Sequence, residues 1–458
     1  MALVIYDTLS RKKVPFKPRS EGLIQMFVCG VTPYEDAHIG HGRCYVVFDV
    51  VARYLRSLGY NVRYIQNVTD IDDKIIAKAS SLSITESEVA NKFFESYRDD
   101  MRALKVNSVD AYLPAIKYMS QIIDQVQRLI KKGHAYVIDD GVYFDMASFK
   151  DYGKLSKQDL TQLSEHRIEP NPQKKNPGDF SLWKSHKPGE PFWDSPWGKG
   201  RPGWHIEDTA ITEHEFGPQY DLHGGGIDLI FPHHECEIAQ IEAVSGKKPL
   251  VNYWMHNEFL RINDVKMSKS LGNWVTIKDA LKKFGPEALR YFFLSTHYRT
   301  PLNYTDEAIG ACKSALDRLH NLMKALHDIK STTGTYDPSP ALTNARSEFD
   351  TAMQDDFEVS KALAALFGLV KGINTHVAEL SKESAERVIT EMMRYNEILG
   401  VIEVKESAIP KEVADLINKR EEARKSKDFA LSDKLRDQIK AKGFAVTDSP
   451  SGQKVHPL

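Results

Sequence analysis

The sequence predicts an α/β fold whose strands and helices alternate up to about residue 305 and whose last third is helical. Three observations predict it. An apolar run from Ile24 to Val28 reads as a short buried strand, ends at Cys29-Gly30, and leads through a turn carrying Pro33 and Asp36 into a helix. The stretch Asn61 to Val68 alternates apolar and polar residues like a second strand, and Thr69 to Lys74 then opens another helical run, which completes a βαβ unit. Beyond Asp306, apolar residues recur at three- and four-residue spacing, the pattern of a helical bundle.

In the first helix Cys44, Val47, Phe48, Val51, Leu55 and Leu58 form one apolar face, and Gly59 stands where a C-terminal cap belongs. His38 and His41 fall on its first turn, three residues apart at the positive end of the helix dipole, where unpaired N–H groups favour phosphate. Two imidazoles there suit donors to a nucleotide; the same spacing also suits a plain helix cap. Ligands of such folds bind at the carboxyl ends of the strands. Residues 116–203 leave the βαβ rhythm, with a helix over Tyr118 to Lys132 and then a stretch rich in Pro, Gly, Lys and Trp between Pro170 and Gly203. This reads as an insertion whose loops lie near a ligand. The sheet resumes with a strand over Gln219 to His223, the glycines Gly224, Gly225 and Gly226, and a helix over Pro232 to Val244. A helix over Glu287 to Phe293 precedes the bundle, whose expected helices are Ala308 to Ile329, Pro340 to Val377 and Lys382 to Leu399.

Composition sets modest bounds. The chain has 458 residues, 41% hydrophobic and 27% charged, enough for a full core and about three domains. No segment approaches the roughly 18 unbroken apolar residues of a membrane span, so a cytoplasmic location is expected. Cysteines 29, 44, 236 and 312 show no CxxC pair, which leaves single thiols as core filler or ligands; Cys44 and Cys312 read as filler. A net charge of −2 argues against a uniformly basic nucleic-acid coat. It permits a local basic surface, and Lys419 to Lys442 carries nine Lys/Arg against five Asp/Glu with helical periodicity through Phe429, Leu431, Leu435 and Ile439.

Far from the first helix stands Lys266-Met267-Ser268-Lys269-Ser270, followed by Leu271-Gly272-Asn273. With His38-Ile39-Gly40-His41, this loop resembles the paired HIGH and KMSKS signatures of class I aminoacyl-tRNA synthetases. The neighbouring FVCGVTPYEDAHIGHGR, NVTDIDDK, FSLWK, GRPGWHIE, HGGGIDLIFPHHE and HYRTPLNY resemble the cysteinyl-tRNA synthetase family through nearly the whole chain. The resemblance implies a Rossmann-type catalytic domain in two halves, 1–115 and 204–305, split by the insertion 116–203. A helical bundle, 306–404, and a small anticodon-binding region, 405–458, would follow, with Arg420 to Arg436 the expected tRNA-reading stretch.

By the same resemblance, ATP activates L-cysteine to cysteinyl-adenylate and the cysteinyl group passes to tRNA(Cys). His38 and His41 would hold the nucleotide with Gly40, and Lys266 and Lys269 would close over the leaving pyrophosphate. Gly224, Gly225, Gly226 and Asp228 would form the adenosine and amino-acid platform, while Thr69, Trp204 and Asp228 would hold the ends of cysteine. Mg²⁺ is expected with ATP. Cysteine differs from serine only in sulfur, and a zinc ion that binds thiolate far better than alcohol would make the distinction. The family pattern supplies two Cys, one His and one Glu. Cys29, His233 and Glu237 match three of these positions, and Asp208 stands at the fourth. Zinc accepts Asp oxygen, so Asp208 is the expected fourth ligand; Cys236, three residues beyond His233, is the alternative. Two rival functions share parts of the pattern: a cysteine ligase with an amino-sugar acceptor, and a non-catalytic tRNA-binding paralogue. A monomer is expected.

Overall fold

The computed structural model describes residues 2–158, 171–267, 271–402, 410–426, 428–449 and 452–457. Lys269, with Ser268 and Ser270, lies outside them. The chain divides into two compact units, residues 1–402 and 403–458.

The first unit is organised on a five-stranded parallel sheet. In spatial order its strands are Val251–Asn257, Tyr220–Gly226, Leu23–Val31, Asn61–Val68 and Ala111–Pro114. Chain order reverses at Leu23–Val31, whose two neighbours come from opposite ends of the domain. Such a reversal opens a crevice at the carboxyl ends of the strands. The first strand is longer than the sequence predicts. It runs through Cys29, Gly30 and Val31, so Cys29 is a strand residue at the mouth of the crevice rather than the first residue of a turn. Gly30 makes the extension possible: a Cβ there would meet the Asn67 carbonyl oxygen of the adjacent strand at 1.7 Å.

The helix Ile39–Ser57 packs its apolar face on this sheet, with Val46, Phe48, Val50 and Leu55 fully buried. Each such side chain contributes about 1.5–3 kcal/mol of burial. Gly59 has φ +90°, the left-handed turn that ends the helix. The insertion is a helix, Met119–Lys131, and a four-stranded antiparallel sheet of Ala135–Ile138, Gly141–Phe144, Phe180–Ser185 and Gly200–Pro202. Its Val142, Phe144, Leu182 and Trp183 share one core with Phe27 and Trp254 of the parallel sheet.

The bundle consists of Asp306–Asp328, Ser339–Gln354, Val359–His376 and Lys382–Leu399. The expected single helix from Pro340 to Val377 is two. Asp356 and Phe357 adopt φ +60° and +52°, and the Asp356 carboxylate accepts bonds from the Tyr6 backbone N–H, the Tyr298 hydroxyl and Arg299, which hold the break. A second weld is fully buried: Arg290 donates to Asp49 at 2.6 Å and to the carbonyls of Leu399 and Leu104.

The second unit pairs helices Lys411–Lys425 and Phe429–Ala441 with a hairpin, Phe444–Ser449 and Gly452–Pro457. Val413, Ile439 and Phe444 form its core. Two expectations are corrected here. Phe429 and Leu431, read as part of the apolar face, are exposed, whereas Leu435 and Ile439 are buried. Arg420 is 1% exposed and donates to Gln453 at 2.7 Å, so it supports the hairpin and presents no free cation to a ligand.

Candidate active site and metal centre

The crevice at the strand ends holds a cleft of about 450 Å³, within the usual range for small-molecule sites. His38, Gly40, His41, Cys29, Trp204, Gly226, Asp228 and Lys266 line it, from segments as far apart in sequence as the motifs that carry them.

At one end, His38 is the N-cap of its helix and its side chain accepts the His41 backbone N–H at 3.3 Å; the His41 Nδ1 accepts the His38 backbone N–H at 3.4 Å. The pair thus forms a reciprocal capping box out of two imidazoles. With each Nδ1 accepting, a neutral ring carries its proton on Nε2, which makes that nitrogen a donor. Burial lowers the His41 pKa to about 4, so that ring is neutral at physiological pH. A Cβ on Gly40 would lie 2.8 Å from the His38 ring, so a larger residue there would displace that ring from its capping position. Downstream of the lysine loop, the chain is zipped to the same segment: Ile39 N–H donates to Val275 O, Ile277 N–H to Ala37 O, and Lys278 reaches Asp36 at 2.9 Å. Lys266 holds its ammonium 4.7 Å over the Phe259 ring.

At the other end, strand and helix ends converge on a buried cluster. Cys29 Sγ lies 3.2 Å from Asp208 Oδ2 and 3.8 Å from Glu237 Oε1; His233 Nε2 lies 3.0 Å from both carboxylates. The ligating atoms of Cys29, Asp208, His233 and Glu237 lie within 4.8 Å of one another. Asp208 comes from the helix Ile206–Phe216, and His233 and Glu237 stand one turn apart where a short π-turn runs into the helix Glu235–Ser245. Trp204 stacks on His233 with ring centroids 4.4 Å apart and carries its other face into the cleft.

Burial pushes the Cys29 thiol pKa well up, and Glu237 and Asp208 push it further; burial and then Asp208 raise that of Glu237. The same desolvation holds His205, His223 and His234 neutral. Two carboxylates, a thiol and imidazoles enclosed in one dry site suit a divalent cation, which would give them a shared coordination shell. The donor set therefore fits a metal ion.

Several expected residues fall elsewhere. Cys236 is not among these donors, since its sulfur shares a hydrogen bond with the Tyr152 hydroxyl at 3.2 Å. Thr69 is 3% exposed, bonded to Asn67 behind the cleft. Of the three glycines only Gly226 lines the cleft. All three are in the strand, where the Phe48 ring fills the space over Gly224 and the His234 ring that over Gly225. Sequence reading missed His223 and His234, whose Nε2 atoms approach Cys29 Sγ at 3.4 and 3.1 Å. Both stand inside quoted motifs, HGGG and HHE, so the signal was present without the strand register that aims it. Lys74, Tyr34 and Trp274 of the cleft wall were missed as well.

Residues 15–314 match the family described as tRNA synthetases class I (C) catalytic domain, residues 348–403 the DALR domain, and residues 406–455 the cysteinyl-tRNA ligase anticodon binding domain. The chain is 44% identical to the cysteine–tRNA ligase of Thermoplasma volcanium over 93% of its own length and 94% of the relative's. It is also 44% identical to that of Thermococcus onnurineus, over 99% and 98%. The solved Mycobacterium tuberculosis methionyl-tRNA synthetase, bound to methionyl-adenylate, shares the fold at a TM-score of 0.58 and 16% identity, covering 83% of this chain and 90% of that one. The parallel sheet with its insertion, the helical bundle and the matched terminal domain agree with these likenesses, and the chain belongs to the cysteine–tRNA ligase family of class I aminoacyl-tRNA synthetases.

Proposed function

We infer that the chain activates L-cysteine with ATP and transfers the cysteinyl group to tRNA(Cys). One observation carries the reading: the histidine-capped helix start and the Cys29 cluster open on the same cleft, which joins an anion site to a thiol-selective one. In the first step a carboxylate oxygen of cysteine attacks the α-phosphorus, the bond to the bridging oxygen breaks, and pyrophosphate leaves. Such chemistry needs positioning and charge neutralisation more than a covalent nucleophile. His38 and His41 donate to the phosphates from the helix N-terminus, with Gly40 leaving room. Lys266 and Lys269 neutralise the pyrophosphate, and Mg²⁺ accompanies the triphosphate. Gly226 lets the ligand approach the strand backbone, and Asp228 and Trp204 orient the amino acid, with Thr69, Gly224 and Gly225 supporting that wall from behind. In the second step a hydroxyl of the terminal tRNA ribose attacks the acyl carbon, and AMP leaves.

Cys29, Asp208, His233 and Glu237 would hold zinc. Held by these residues, zinc would supply a Lewis acid that binds the substrate thiolate far better than a serine hydroxyl. Residues 403–458 read the tRNA, and the match over 406–455 favours tRNA over an amino-sugar as acceptor. Among the described residues no helix is long and apolar enough to cross a membrane. The reading assigns a monomer that works in the cytoplasm. The test is charging of total tRNA with labelled cysteine in the presence of ATP. Label in an acyl linkage released by mild alkali supports it; adenylate formation without tRNA charging refutes the tRNA step.

A further inference from the structure

Cys29 and Glu237 belong to two groups of four donors at once. The second group replaces Asp208 and His233 with His223 and His234, and its ligating atoms also lie within 4.8 Å of one another. Glu237 divides its two oxygens between them: Oε1 lies 3.0 Å from His233 Nε2, and Oε2 lies 3.4 Å from His223 Nε2. The second group is built as firmly as the first. The His223 Nδ1 is tied to the Tyr220 hydroxyl at 2.7 Å, and the His234 Nδ1 to His256 at 2.8 Å, which is tied in turn to Thr8. Anchoring one ring nitrogen fixes the other for a metal. Trp254 stacks on His223 at 4.3 Å, and Gly225 has no side chain where the His234 ring lies. Both rings are fully buried, whereas His233 backs onto the cleft-lining Trp204.

The two sets differ in softness. Sulfur, two imidazoles and one carboxylate oxygen make the inner set; sulfur, one imidazole and two carboxylate oxygens make the outer one. Zinc prefers the first. Asp208 creates this imbalance, because a second thiolate at its position would reverse it. We propose that the centre has two overlapping seats for a single zinc ion, which rests on Cys29, His223, His234 and Glu237 and moves to Cys29, Asp208, His233 and Glu237 when the substrate thiolate binds. This rests on the metal-centre reading above. In the exchange zinc releases the two inner imidazoles and gains the substrate sulfur, His233 and Asp208. Glu237 passes it from Oε2 to Oε1, and the thiol proton leaves to solvent.

Zinc X-ray absorption of the full-length, zinc-loaded protein tests this, combined with elemental analysis, with and without L-cysteine. The expected result is one zinc per chain with two imidazoles and one sulfur, changing to one imidazole and two sulfurs with cysteine and unchanged with L-serine. His223→Asn is expected to show one imidazole in both states, with zinc affinity lowered about tenfold or more. If the wild-type protein without cysteine shows one imidazole, the inner seat is rejected and the metal centre stands. Two imidazoles that persist with saturating cysteine reject the movement. Failure to bind zinc at all rejects the metal-centre reading together with the proposal. The wild-type measurement decides even where His223→Asn does not fold.

Discussion

His38 and His41 cap their helix on each other. Nδ1 of each accepts the backbone N–H of its partner, at 3.3 and 3.4 Å, and the two rings stack with centroids 3.7 Å apart. Anchoring Nδ1 commits both Nε2 atoms to donation, so under the proposed function the helix cap would itself orient the donors to a phosphate. His41→Ala removes a cap and a donor together. The expected outcome is a loss of about 10²–10³-fold in the rate of adenylate formation, with cysteine affinity within about threefold of the parent, the usual pattern for a lost transition-state donor. Pre-steady-state adenylate formation checks it; a large rise in cysteine KM at unchanged rate contradicts the role.

The same ring sets a pH dependence. The His41 pKa is lowered to about 4 in the folded chain against about 6.5 when unfolded. Between those values the unfolded state binds the extra proton, so this contribution to stability is full above about pH 6.5 and is lost as pH falls toward 4. Thermal unfolding of wild type and His41→Asn from pH 7.5 to 4.5 measures it. The wild type is expected to lose more Tm over this range than the variant; parallel curves contradict the assignment.

Arg290 and Asp49 form a fully buried pair, and Arg290 also donates to the Leu399 carbonyl that ends the helix Lys382–Leu399 and to the Leu104 carbonyl. Arg290→Ala leaves Asp49 paired with Arg53 alone, at 2.8 Å, and strips the buried carbonyls of Leu399 and Leu104 of their donor, and it is expected to destabilise the first unit by about 2–4 kcal/mol. Urea denaturation followed by circular dichroism gives the value, and a change under 1 kcal/mol contradicts it.

The second unit has its own core, and every residue that lines the cleft belongs to the first. Deleting residues 405–458 is expected to keep cysteinyl-adenylate formation within about threefold and to lower tRNA charging by about 10²-fold or more. Loss of both activities in a truncate with native circular dichroism contradicts a separate tRNA-reading unit.

The sequence showed the anchors of the cleft because each is a dense local pattern: a capped helix start after an apolar run, a lysine-serine loop, glycines before a histidine doublet. It brought Cys29, Asp208, His233 and Glu237 into one set only through family likeness. Nothing local joins a strand end to helices about 180 residues away. His223 and His234 stayed hidden because a histidine's direction depends on strand register and on which neighbours lack a Cβ, here Gly225. The break at Asp356-Phe357 carries neither Gly nor Pro. It is held by bonds from Tyr6, Tyr298 and Arg299, which are tertiary contacts that local propensity does not record. Arg420 illustrates the converse, since a basic run looks solvated until one guanidinium is enclosed by a hairpin.

The decisive measurement is amino-acid-dependent exchange of labelled pyrophosphate into ATP, run with cysteine and with serine before and after zinc is removed and restored. Exchange with cysteine is expected at kcat/KM about 10⁴-fold or more above serine, lost on zinc removal and regained with zinc alone. Equal exchange with the two amino acids, or undiminished preference for cysteine in the zinc-free protein, would contradict it.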